Sequence, residues 1–287
     1  MMENSLSSEQ IAAFDDDGFL IIRRFFAACE IAAIADCFDQ VLADALQLGR
    51  SYRHGNLFYN VGEDANLGTI CRMVQWPAWR YPLLDSVRRD PRFAGLLRPL
   101  IGDNLKQIIN QMHWKYAGAA SGDFAFHQDS RFRKPDEAYR DLGGSYVQTG
   151  LAVDRHAPET GGMRFVRGSH KRGEIALHIN GSVMDTGMSE AALIAAGLDP
   201  ADQVELILEP GDLALWHVHL VHGSGASAAK HKRRLYINGY VRAENCDRGE
   251  WTFRDGAPVP LGDAPSLVHY EQLYEIPDPH FIESKAA

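Results

Sequence analysis

The chain has 287 residues, 45% hydrophobic and 23% charged, ordinary usage for one large globular domain or two small ones. With 29 Lys and Arg against 38 Asp and Glu the net charge is −9, which excludes the broad basic face of a nucleic-acid binder but allows a local Arg or two against an anionic small molecule. Cys29, Cys37, Cys71 and Cys246 show no C-x-x-C spacing, no run approaches the ~20 apolar residues of a membrane span, and the polar opening lacks the h-region of a secretory signal, so a soluble protein of the reducing cytoplasm is expected.

Taken in order, Ser7-Ser8-Glu9-Gln10 predicts a capping box and a short helix through Ile11 and Phe14, stopped at Gly18. Phe19 to Phe26 reads as a strand. Ile31, Ile34, Ala35, Phe38, Leu42, Ala45 and Leu46 recur at helical spacing, so Cys29 to Leu48 is an amphipathic helix with Cys29 and Cys37 as core fillers. Residues 50 to 80 have no clear period and are expected to be an aromatic-rich loop; together with the irregular segment 171 to 202 they are expected to form a lid. Pro82 opens one or two helices that end at Gly102.

From Leu105 the period changes from helical to β. Strands are expected at Leu105–Tyr116, Ser145–Val153, Met163–Val166, Val204–Leu208, Leu213–His217 and Leu235–Val241, with one helix near Glu190–Ala196 and a loop-like tail from Asn245. Helices first and strands after predict a mainly β fold, a sandwich or barrel flanked by α-helices. Without a visible linker, residues 1–287 read as one domain: N-terminal helices at about 7–102, a β core at about 105–243 and a tail at 244–287.

Phe126-His127-Gln128-Asp129 carries the chemistry. Residues i and i+2 of a strand share a face, so His127 and Asp129 converge, as two ligands of a 2-His-1-carboxylate iron site would. A third ligand must come from elsewhere. The densest source is Trp216-His217-Val218-His219-Leu220-Val221-His222-Gly223-Ser224-Gly225, and spacing alone permits His217, His219 or His222. The residues that follow His222 favour it: Gly223 and Gly225 let backbone approach closely, Ser224 adds a hydroxyl, and Arg233 can grip a carboxylate bidentately.

This set resembles the phytanoyl-CoA dioxygenase family of Fe(II)- and 2-oxoglutarate-dependent oxygenases. The likeness rests on His127-Gln128-Asp129, on His222-Gly223-Ser224-Gly225, on Arg233 eleven residues beyond His222, on the opening Leu6-Ser7 to Asp17-Gly18-Phe19, and on Gly161-Gly162-Met163 to Gly168-Ser169-His170. It implies a double-stranded β-helix, the cupin-like jelly roll, with His127, Asp129 and His222 as metal ligands. It also implies that 2-oxoglutarate pairs with Arg233 and touches Ser224 and Gln128, and that O2 is consumed as a small molecule is oxidised with release of succinate and CO2. Asp129 argues for hydroxylation over halogenation, because halogenating relatives lack that carboxylate. Two positions depart from the pattern. Arg167 stands where Pro is common, and Gly150 stands where an aromatic is common, which is expected to widen the pocket.

Several further residues are weighed on their own chemistry. Gln111, His113 and Lys115 share a strand face, and one of them is a candidate cosubstrate contact. Arg131, Arg133 and Arg164 are candidates for meeting an acidic substrate, and His170 is expected to brace a turn. Two other classes compete: a non-catalytic 2-oxoglutarate or metal sensor on the same barrel, and an oxygen-independent cupin-type isomerase or epimerase.

Overall fold

The structure, a computed structural model, describes residues 5–120, 122–179, 182–266, 276 and 278–282. The helices are α1 (Ser8–Asp17), α2 (Ala28–Leu48), α3 (Pro82–Arg88), α4 (Pro91–Ile101), α5 (Leu142–Ser145) and α6 (Glu190–Ala195). The strands are β1 (Phe19–Ile22), β2 (Tyr52–His54), β3 (Leu57–Asp64), β4 (Gly68–Gln75), β5 (Leu105–Lys115), β6 (Phe124–His127), β7 (Tyr146–Ala152), β8 (Met163–Val166), β9 (Gln203–Glu205), β10 (Leu213–His217), β11 (His222–Ser224), β12 (Arg233–Arg242), β13 (Glu250–Arg254), β14 (Ala257–Pro258) and β15 (His280–Phe281).

Two antiparallel sheets face each other. The larger runs β1-β10-β7-β12-β5-β4-β3-β2-β15, with β13 and β14 branching from β5; the smaller runs β6-β11-β8-β9. Between them pack Ala152, Ala214, Trp216 and Leu235 from the large sheet and Met163 and Phe165 from the small one. The outer face of the large sheet is covered by the helices. On α2, Ile31, Ile34, Cys37, Phe38, Val41, Leu42 and Ala45 form the buried stripe that the helical spacing predicts, and Phe38 packs edge-on against Trp114 of β5. The ends of α1 follow from local chemistry: the Ser7–Gln10 capping box starts it, and Gly18 at φ 84° stops it.

The structure corrects four expectations. Residues 50 to 80 are not a loop but the β2-β3-β4 antiparallel extension of the large sheet; a bulge between Asn60 and Val61 breaks the alternation that would have revealed it. The segment 7–102 is therefore strand as well as helix. β1 stops at Ile22, and Phe25 and Phe26 turn inward onto Phe93 of α4. The tail is not all loop: β13 pairs with β5, and β15 pairs with β2. Cys29, in the first turn of α2, is exposed, whereas Cys37, Cys71 and Cys246 are buried.

Candidate active site

His127 ends β6 and His222 begins β11, and the two are register partners across that antiparallel pair. Gln128 continues extended, so the strand alternation carries through to Asp129, which opens a short 3-10 turn (Asp129–Phe132). Ligand atoms of His127, Asp129 and His222 all lie within 4.8 Å of one another, and all three residues are buried. His127 Nδ1 lies 2.7 Å from the Ala125 carbonyl oxygen and His222 Nδ1 lies 2.9 Å from that of Leu220. A carbonyl only accepts, so each Nδ1 carries a proton and Nε2 is the nitrogen left to meet a ligand. Burial first, and then the charge of neighbouring His222, pushes the His127 imidazole down to about 3, so it is neutral as a metal ligand must be.

Asp129 is held by Trp216. Burial alone would push its carboxyl up, but His222, His127, Arg133 and the Trp216 N–H outweigh that and hold it below the ordinary carboxylate range. Trp216 Nε1–H donates to Asp129 Oδ2 at 2.8 Å. The indole fits because residue 150 is glycine: a Cβ there would sit 3.1 Å from the Trp216 ring. Gly150 thus does not widen the pocket; the space that it leaves is filled by Trp216.

The triad opens into a cavity of roughly 320 Å³ between the sheets. At one end Arg233 of β12 and Lys115 of β5 are register partners. Arg233 is 4% exposed and donates to the Gly161 carbonyl at 3.0 Å. Lys115 Nζ donates to Ser224 Oγ at 2.7 Å and also to the Gly225 carbonyl. Burial, then the charge of Arg233, pushes the Lys115 ammonium down to about 6; burial likewise brings Arg233 down to about 10, against the pull of Asp154. The next inward-facing residues of β5 are His113 and Gln111, joined to each other at 3.0 Å. His113 is pushed down to about 3 by burial, then by Arg233 and Lys115.

Residues 14–235 match the sequence pattern of the phytanoyl-CoA dioxygenase (PhyH) family. The chain belongs to this family. It is 27% identical over 241 residues to the probable alpha-ketoglutarate-dependent hypophosphite dioxygenase of Stutzerimonas stutzeri, covering 83% of this chain and 79% of that protein. Two crystal structures share the jelly-roll fold. EctD from S. alaskensis with 2-oxoglutarate and 5-hydroxyectoine has a TM-score of 0.65 at 18% identity, covering 92% of this chain and 86% of EctD. The non-heme alpha ketoglutarate dependent carbocyclase SnoK from nogalamycin biosynthesis has a TM-score of 0.63 at 19% identity, covering 93% of this chain and 99% of SnoK.

Not every residue expected at the site of this family member is there. Gln128 is corrected: it lies on the strand face opposite His127 and Asp129. Its Nε2 donates to the carbonyls of Gly173 (2.8 Å) and His219 (2.6 Å), and its Oε1 accepts from the N–H of Ile175 (2.8 Å). It ties the segment after β8 to the turn after β10 and does not line the cavity. His217 and His219 lie outside the lining too; the His217 ring accepts from the N–H of His219 at 3.0 Å. His170 braces α1 by bonding the Asp15 carbonyl at 3.1 Å. Arg234 turns away from the cavity to pair with Asp154 at 2.9 Å. Arg131 is exposed and Arg164 pairs with Glu205 at 3.2 Å, whereas Arg133 lines the cavity. Of the expected lid, Val183 and Met184 reach the cavity, and strand β4 contributes Ile70, Arg72, Met73 and Gln75 to its wall. Trp216, Gln148 and Phe132 also line it and were not anticipated. Trp216 had a signal, because alternation on β10 sets it on the face opposite His217.

Proposed function

We propose that the chain is a single-domain Fe(II)- and 2-oxoglutarate-dependent dioxygenase of the cytoplasm that hydroxylates an unactivated C–H bond of a small molecule, consuming O2 and releasing succinate and CO2. The observation that carries this reading is the convergence of two imidazoles and one carboxylate within 4.8 Å, opening on a cavity that ends at buried Arg233. The donor set fits iron: two neutral imidazoles and one carboxylate bind on one face and leave positions open. The alpha-ketoglutarate dependence in the name of the S. stutzeri relative and the 2-oxoglutarate held by EctD support the cosubstrate. Four free cysteines support a reducing compartment, and no helix among the described residues is long and apolar enough to cross a membrane.

His127, Asp129 and His222 would hold the iron. Bound iron with 2-oxoglutarate supplies the oxidising chemistry, by which the cosubstrate and O2 become succinate, CO2 and one oxygen atom for the substrate. The residues of the chain do the rest. Arg233 takes the distal carboxylate of the cosubstrate in a charge-assisted pair, with Ser224 and Lys115 donating beside it and His113 and Gln111 along its length. Ala125, Leu220 and Trp216 fix the three ligands in orientation through their hydrogen bonds. Leu235, Ile237, Met163 and Phe124 line the same space and keep water from the reacting carbon.

The test is reconstitution. The purified protein, given Fe(II), 2-oxoglutarate, ascorbate and O2, should form succinate, slowly without substrate. Asp129→Ala should abolish iron-dependent turnover and leave the circular dichroism spectrum unchanged. Failure of the wild type to bind Fe(II) or 2-oxoglutarate overturns the proposal, as does unimpaired turnover in Asp129→Ala. Substrate conversion without O2 would point instead to an isomerase.

A further inference from the structure

The large sheet meets the cavity in successive cross-strand rows. The first row holds Lys115 and Arg233. The second holds Met73, His113 and Leu235, and the third holds Gln75, Gln111, Ile237 and Gly150. The fourth holds Ile109, Gly239 and Gln148. Six residues of β12 separate the first row from the fourth, roughly 20 Å at the rise of a strand. A five-carbon cosubstrate anchored at Arg233 does not reach that far.

The charged side chains of the wall are all engaged. Lys115 and Arg233 belong to the cosubstrate end. Arg72 lies 3.8 Å from Asp64. Arg133 donates to the Asp129 carbonyl at 3.3 Å and stands 5.6 Å from the centre of the Tyr146 ring, and both arginines have further partners. Asp129 is the one acidic residue of the wall among the described residues, and it belongs to the metal site.

The groups left to a substrate are neutral amides. Gln111 Oε1 meets His113 Nε2 at 3.0 Å, which leaves the Gln111 Nε2. Gln148 is oriented more firmly. The Tyr146 hydroxyl donates to Gln148 Oε1, and the pair lies across Gly239, where a Cβ would collide with both oxygens. With Oε1 committed, the N–H2 group is the end of Gln148 turned to a ligand, and no partner among the described residues meets it. Gln148 is 4% exposed and lines the cavity, and a buried donor without an acceptor is unfavourable. Its register partner on β10 is Trp216, the residue that holds Asp129. The walls around it are apolar, with Ile109, Ile237, Phe132 and Met184 among them.

We infer that the substrate is a compact, uncharged molecule with a carbonyl group on an apolar body, and that the Gln148 amide donates to that carbonyl oxygen. This rests on the dioxygenase reading above. An ionic substrate would leave water here without a counter-charge, whereas a carbonyl satisfies the donor that the fold has left open. The volume of roughly 320 Å³ is shared with the cosubstrate, which keeps the substrate small. Because Gln148 stands beside the residue that holds Asp129, the carbon that is oxidised lies within a few bonds of the carbonyl. The carbonyl passes through the reaction unchanged: substrate, 2-oxoglutarate and O2 give hydroxylated substrate, succinate and CO2.

The experiment uses the full chain loaded with Fe(II) and 2-oxoglutarate. The probes are cyclohexanone and indanone. Each is matched with a hydrocarbon partner, methylenecyclohexane or indane, and with the ammonium and carboxylate derivatives of the same ring. Two quantities are read: the shift of the visible charge-transfer band of the anaerobic complex, and succinate formed above the substrate-free rate once O2 is added. The wild type should bind each ketone at least about fivefold more tightly than its hydrocarbon partner, the scale of one neutral hydrogen bond, and more tightly than either charged derivative. Gln148→Leu should bring the ketone-to-hydrocarbon ratio to within about twofold of unity. Tyr146→Phe should lower the ratio in part, because the amide loses the hydroxyl that fixes which end faces the cavity while the ring under Arg133 stays. The ratio is internal to each protein, so a partly destabilised variant still reports, and a merely structural loss moves ketone and hydrocarbon alike. Equal binding of ketone and hydrocarbon, tighter binding of a charged derivative, a ketone preference that survives in Gln148→Leu, or no response to any probe from a protein that shows the band each overturns the inference. Absence of the band in the wild type instead overturns the dioxygenase reading.

Discussion

Replacing Trp216 with Phe isolates one hydrogen bond to Asp129, the carboxylate proposed to hold the iron. The ring that remains keeps its place over Gly150 and its packing on Phe165, at 5.7 Å between ring centres, and on His222, at 5.8 Å. What disappears is the N–H that donates to Asp129 Oδ2 at 2.8 Å. Trp216 is 1% exposed, so no water replaces the lost donor. A hydrogen bond to a charged group contributes about 1.5–3 kcal/mol, which corresponds to about 10- to 150-fold in affinity. Removal of an outer partner of a metal ligand typically costs ~10–100-fold in metal binding, and the two figures agree. Fe(II) binding in Trp216→Phe should therefore weaken by at least about tenfold. The assay is anaerobic Fe(II) titration at saturating 2-oxoglutarate, followed by charge-transfer absorbance. Gly150→Ala should act in the same direction and more weakly, because its Cβ would press on the indole at 3.1 Å. An Fe(II) affinity in Trp216→Phe within twofold of wild type refutes the reasoning.

Three further outcomes are expected. Arg233→Gln should raise the 2-oxoglutarate half-saturation by about 30-fold or more, the effect of truncating one partner of a buried charged pair at 2 kcal/mol or above, while Fe(II) binding without cosubstrate changes little. Lys115 gives a pH signature. Its folded value of about 6 lies below the ordinary 10.5, so between those values the unfolded chain binds more protons and stability rises with pH. A bound dianion restores the charge, so 2-oxoglutarate binding takes up a proton and its Kd should rise as pH climbs above about 6. Lys115→Met should flatten that slope, read by titration at several pH values. Arg88→Met should cost about 3–5 kcal/mol in urea unfolding, because buried Arg88 joins Asp85 (2.9 Å) to Thr252 (3.0 Å) and to the carbonyls of Trp251 and Val259.

How far the site was legible depended on whether its signal was local. The His127-x-Asp129 pair was legible because strand alternation is a property of adjacent residues. The third ligand was not settled by spacing, since the pairing that sets His222 opposite His127 joins segments about ninety residues apart. Alternation also bears on two other residues. It places Gln128 on the wrong face for the cosubstrate, and it places Trp216 with Ala214 on the inner face of β10 while Leu213 and Leu215 face the helices. In the fold, α2 was plain from its period, whereas in β3 and β4 a bulge breaks the alternation, although β2, β3 and β4 pair with their immediate neighbours in the chain. Gly150 was misjudged because the side chain that fills its space comes from residue 216.

The pairing of His127 with His222 has a consequence for metal choice. Backbone bonds between β6 and β11 hold both imidazoles in place, and each ring is locked by a carbonyl of its own chain segment. A cage this stiff accepts any divalent ion that tolerates two nitrogens and one oxygen, and intrinsic affinity across the first-row series favours copper, nickel and zinc over ferrous iron. Loading with the productive metal is then decided by the supply of free ions in the cell, and protein recovered from a zinc-rich or nickel-charged preparation would be well folded, fully metallated and inert until it is stripped and refilled.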